Sequence, residues 1–167
     1  IGIDQLDGDI LDRTGKAFKY IIGDIDRISD YGLKPTVTLS IDSLYFSKDL
    51  DKLVGQLKSI KNNKMYLFYS QYIFDEAVED KSILDSNKTK IADTLNKNNI
   101  IFKTIDFSEN ECLLYENSIR VLQKYKKKFE EEGNLDLYEQ KLKEDMTGMK
   151  LYDKNLASRY LYIIYEM

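Results

Sequence analysis

The chain has 167 residues, a length that fits one domain able to bury roughly 70% of its unfolded surface without staples. Lys and Arg total 25 against 29 Asp and Glu, a net charge of −4, which argues against nucleic acid as the main partner because phosphate binding needs a basic surface. The single cysteine excludes an internal disulfide, the lack of histidine removes the commonest general base and zinc ligand, and no apolar run approaches transmembrane length, so the composition points to a cytoplasmic protein with no membrane partner.

In chain order, Ile1, Gly2, Ile3 and Asp4 read as the end of a buried strand closing on a carboxylate. Residues 5–16 are polar with two glycines and read as a short irregular helix. Phe18 to Ile22 is a second strand, ending at Gly23, Asp24, Ile25 and Asp26. Pro35 precedes a third strand in which Val37 and Leu39 alternate with threonines. That strand runs into Ser40, Ile41, Asp42 and Ser43, followed by Leu44, Tyr45 and Phe46. A strand, a polar turn and a helix in succession place ligand groups at the carboxyl end of a parallel sheet.

Ser47 is the expected N-cap of a helix over 47–61, with Leu50, Leu53, Val54, Leu57 and Ile60 on one apolar face. Asn62 and Asn63 turn the chain into a fourth strand, Lys64 to Ser70, which is near-continuously apolar. A polar connection over 71–86 leads to a helix over 87–97, with Ile91, Ala92 and Leu95 inward, and then to a fifth strand over 100–106. Ser108 and Glu111 have the spacing of a capping box and open a long helix. Gly133 and Asn134 divide it from a second helix bearing Leu135, Tyr138, Leu142 and Met146. An aromatic-rich strand over 159–165 closes the chain. The alternation predicts an α/β fold, a largely parallel sheet with helices on both faces. The helices at 107–157 form an insertion before the last strand, either extra core or a lid over the carboxyl edge.

Three strand ends are acidic or polar: Asp4, Asp24 and Ser40 to Asp42. A carboxylate in the place of Asp4 can accept hydrogen bonds from both hydroxyls of a ribose. Asp24 follows the next strand, where an adenine amino group would lie. Taken with Tyr69, Ser70 and the closing Arg159 to Tyr162, these segments resemble the class I S-adenosylmethionine-dependent methyltransferases, more narrowly the small-molecule enzymes of low-GC bacteria. Gly2-Ile3-Asp4 resembles the acidic second-strand motif, with Gln5 beside it. Gly23-Asp24-Ile25 resembles the adenine-contacting motif, and residues 40–46 resemble the motif beside the methionine part of the cofactor.

The resemblance covers nearly all of the chain as one domain, 1–167. It implies a Rossmann-like sheet, S-adenosylmethionine as cofactor and a small-molecule acceptor. It places Asp4, Gln5, Asp24, Ile25, Ser40 and Ile41 at the cofactor. Asp42 is then the candidate base, with Tyr45 and Tyr69 as orienting groups. The family's glycine-rich loop and first strand would precede Ile1. That strand is normally central, so the expectation is a fragment whose sheet has a gap, completed by an upstream segment. Two alternatives stay open: a fragment of a dinucleotide-binding oxidoreductase, since Asp4 would serve an NAD ribose equally well, and a non-catalytic interaction module working through helices 108–148. Asp7-Gly8-Asp9 lacks the spacing of a calcium loop, a magnesium site at Asp24 and Asp26 is outweighed by an ordinary turn, and Cys112 reads as a core residue.

Overall fold

The structure is a computed structural model and describes residues 2–4 and 20–165. The helix expected over 5–16, Gln5 and the acidic Asp7-Gly8-Asp9 turn lie outside the described residues. Six strands are present among them. β1 (Gly2–Asp4) pairs in parallel with β2 (Tyr20–Ile22), with Gly2 opposite Tyr20, Ile3 opposite Ile21 and Asp4 opposite Ile22. The other four, β3 (Val37–Ile41), β4 (Lys64–Tyr72), β5 (Lys103–Asp106) and β6 (Ala157–Ile164), form a sheet in the order β3-β4-β6-β5. The N–H of Ile73 donates to the carbonyl of Leu156, while the side chain of Arg159 reaches Ser70. Moving up β4 thus means moving down β6, so these neighbours are antiparallel and the sheet is mixed rather than wholly parallel. The fold is α/β, and no helix among the described residues is long and apolar enough to cross a membrane.

The chain divides into two compact units. The first comprises 1–67, 94–102 and 163–167. Its main helix, α1, is Leu50–Lys58, shorter than the expected 47–61. Leu50, Leu53, Val54 and Leu57 are buried along one stripe, as the spacing predicted. The cap is Asp49, whose carboxylate accepts the Lys52 N–H at 2.9 Å, and not Ser47. Ser47 is extended (φ −68°, ψ 131°), and its hydroxyl instead donates to Asp26. A carboxylate two residues on is the stronger acceptor for the dipole end. At the other end the Ser59 hydroxyl donates to the Gln56 carbonyl and stops the helix early.

The second unit comprises 68–93 and 103–162. α3 (Ser108–Glu131) and α4 (Leu135–Asp153) form an antiparallel hairpin, and Gly133 takes φ +72° in the turn between them. Buried Asp145 of α4 fastens the pair, accepting from the Ser118 hydroxyl at 2.5 Å and pairing with Lys141 at 2.8 Å. The expected capping box does not form. Asp106 takes the N–H of Ser108 at 2.8 Å, and Ser108 accepts the N–H of Arg159 at 3.0 Å. Glu111 is drawn away to the guanidinium of Arg159. A charged partner outcompetes a backbone N–H for that carboxylate. Ile73, just after β4, forms a core here with Leu151 and Tyr152 of α4 and with Leu156 and Ala157. α2 (Lys90–Lys97) buries Ile91, Ala92 and Leu95 as expected.

Candidate functional site

β3 is apolar on the side it leaves open. Val37, Leu39 and Ile41 are 53%, 59% and 56% exposed, an unusual loss for three large residues of a sheet strand. Beside them lies a cavity of about 540 Å3. Its walls are Ile3 of β1, Ile25 and Ile28, the strand residues Val37 to Ser40, and Leu53 and Leu57 of α1. β1 and β3 therefore face one slot without pairing with each other.

The residues singled out from the sequence distribute around this slot unevenly. Asp4 ends β1. Ile25, Ser40 and Ser43 line the slot, and Ser40 is buried with its hydroxyl 3.0 Å from that of Ser43. Ile41 closes β3 and its carbonyl accepts the Ser43 hydroxyl at 3.2 Å. Asp42 follows in the left-handed region at φ +50°. Such a backbone is uncommon outside glycine and asparagine, and it ends the strand abruptly on a carboxylate. Tyr45 stands over it, its hydroxyl 3.5 Å from Asp42 Oδ1. Asp42 and Tyr45 thus lie side by side at the end of β3.

Asp24 is committed locally. Its carboxylate accepts the Asp26 N–H at 2.9 Å, capping the 3-10 helix Ile25–Tyr31, and its carbonyl accepts the Tyr31 hydroxyl at 3.0 Å. Gly23 has a reason to be glycine: a Cβ there would lie 2.2 Å from the Tyr31 oxygen. Tyr69 belongs to the second unit, where it is a buried residue of β4 whose phenol burial pushes up, so it stays protonated.

Sequence reasoning undervalued Asp26. Its carboxylate accepts the Ser47 hydroxyl at 2.5 Å and the Lys48 N–H at 2.8 Å, and its carbonyl accepts the Gln56 amide at 2.8 Å. Burial alone would push this carboxyl up. The Ser47 and Lys48 bonds and the charges of Lys48 and Lys52 outweigh it and hold the group below the usual aspartate range. Asp24 and Asp26 therefore work as backbone acceptors, and among the described residues no group of His, Cys, Asp or Glu is arranged to hold a metal ion.

The other missed constellation lies in the second unit. The Arg159 guanidinium is 2.9 Å from the Ser70 hydroxyl and 3.3 Å from Glu111, and it sits over the ring of Phe68 at 5.6 Å. Phe68 in turn meets Phe107 edge-on at 5.3 Å. The legible signal was an arginine inside an otherwise apolar strand, since a buried guanidinium demands a partner. Cys112 packs against the core, and burial and nearby Asp153 push its thiol up, away from nucleophilic use. No protein-family model matches the chain, and no curated protein matches it.

Proposed function

We propose that the protein is a methyltransferase that moves a methyl group from S-adenosylmethionine to a small-molecule acceptor on a Rossmann-like sheet. The observation that supports this most is the slot between Ile3 and β3, apolar on both walls and flanked by strand ends rich in hydroxyl and carboxylate groups. In the resembling family the central strand and its glycine-rich loop occupy that position. Asp4 then takes the ribose hydroxyls, Ile25 and Ser40 border the nucleoside, and Asp42 with Tyr45 stands at the reacting end. Gln5 and Ile41 flank these groups in the chain.

The cofactor supplies an activated methyl on a sulfonium, and the transfer is a direct displacement that needs positioning and exclusion of water more than acid–base help. A chain without histidine can do this. Asp42 is the group available to hold a proton of the acceptor, and Tyr45 fixes its orientation. Tyr69, buried in β4, supports the strand that carries Ser70.

The test is a thermal-shift series on the protein. S-adenosylmethionine and S-adenosylhomocysteine should raise Tm in a saturable way, and NADH should not. A rise with NADH alone would assign the slot to a dinucleotide. No rise with any of the three would leave the helical hairpin as the working surface.

A further inference from the structure

We propose that a second cavity, at the carboxyl end of β4, binds a small organic cation of the alkylated ammonium type. The cavity holds about 460 Å3 and is walled by Tyr72 at the end of β4, Phe74 just after it, Tyr115 of α3, and Gln140, Glu144 and Gly148 of α4. The inference rests on this cavity alone and is independent of the cofactor reading.

Three aromatic rings converge on one side. Tyr72 and Phe74 lie with ring centroids 5.9 Å apart at 30°, and the Tyr72 and Tyr115 hydroxyls are 3.4 Å apart. Phe74 is 74% exposed, a whole ring left in water at the cavity mouth. Ring faces carry negative potential and attract cations that shed water easily, as alkylated ammonium groups do. Burial and the Tyr72 hydroxyl push the Tyr115 phenol far up, so its ring remains a neutral π surface at ordinary pH.

The ring of Tyr115 is held in place by the absence of a side chain at Gly148, where a Cβ would lie 2.6 Å from it. The α4 wall carries the Glu144 carboxylate, which meets Lys141 at 3.5 Å, both side chains well exposed. Such a loose surface pair leaves the carboxylate able to turn to a cation. Lys143 lines the same wall and would oppose a cation. It is exposed on a flexible stem and can withdraw to solvent. That opposition gives the test its sign.

The probes are choline and its uncharged isostere 3,3-dimethylbutan-1-ol, titrated by calorimetry and by NMR shifts. Choline should bind about two- to five-fold more tightly than the alcohol, because an exposed ring contact is worth a factor of this order. Phe74→Ala, at an exposed position that folding does not need, should weaken choline several-fold and leave the alcohol little changed. Glu144→Gln should weaken choline and Lys143→Gln should tighten it. Equal binding of the two probes, no saturable binding of either, or reversed signs at 143 and 144 would overturn the proposal. Melting curves of each variant separate loss of the site from loss of the fold.

Discussion

The first unit leaves apolar surface open around the slot by β3, whereas the second fills its interior to the point of burying an arginine. Around β3, three large side chains stand in water beside a cavity of about 540 Å3. Arg159 is only 8% exposed, and its guanidinium carries a hydroxyl, a carboxylate and a ring as partners. The difference teaches where each unit's stability resides. The second unit is held by a polar network that fails if one member is removed. The first is held by ordinary apolar packing of α1 beside an open cavity.

The sharpest way to break the comparison is Arg159→Ala. It strands the Glu111 carboxylate, itself 11% exposed, and should cost about 3–5 kcal/mol by urea denaturation. The double change Arg159→Met with Glu111→Leu should recover much of the loss, since it removes both charges. A double variant as unstable as the single one would show that the network matters for more than charge pairing.

Apolar truncations come next. Leu95→Ala, at a fully buried residue away from the slot, should cost about 3–5 kcal/mol. Leu53→Ala, at a residue already bordering the slot, should cost about 2–3 kcal/mol, because fewer packed neighbours are lost. Equal losses would mean that the slot is closed in solution.

Asp26 gives a smaller and pH-dependent effect. Asp26→Asn should cost about 1 kcal/mol, discounted from a buried charged pair because the group is partly exposed. The folded group sits below its unfolded value, so its stabilisation is full above about pH 4 and is lost as pH falls through the folded value. The stability difference between wild type and Asp26→Asn should therefore shrink in acid. A difference that stays constant down to about pH 2 would contradict the assigned bonds.

The smallest effect is expected at Glu76, which meets Lys150 at 3.2 Å and Lys154 at 2.5 Å on the surface. The hydrogen bonds from Lys154 and Lys150 hold its carboxyl below the usual range. This latch is intact above about pH 4.3 and opens as pH falls through the folded value. Hydrogen exchange at 74–81 should rise in acid and rise equally in Glu76→Gln at neutral pH, with global stability unchanged.

How much of this was legible depended on whether a residue's role was local or distant. Periodicity placed Leu50, Leu53, Val54 and Leu57 inward, and Gly133 marked the break between α3 and α4, both consequences of neighbours within a turn or two. The caps were misread at Ser47 and Ser108 because a distant partner captured each side chain or its box mate: Asp26 took Ser47, and Arg159 took Ser108 and Glu111. No local spacing encodes a bond across 48 or 51 residues. The place of β3 at the end of its sheet is not written in its alternation, which names a strand without saying what it pairs with.

The most direct measurement is a calorimetric titration of S-adenosylmethionine into wild type, Asp4→Ala and Asp4→Asn. Asp4 closes β1 beside the slot wall formed by Ile3, and a hydrogen bond to a charged acceptor contributes about 1.5–3 kcal/mol. Alanine should weaken binding roughly 10- to 200-fold, asparagine should fall between it and wild type, and melting temperatures without ligand should agree. Equal affinities in the three proteins, or no binding in any, would contradict a nucleoside cofactor gripped at this strand end.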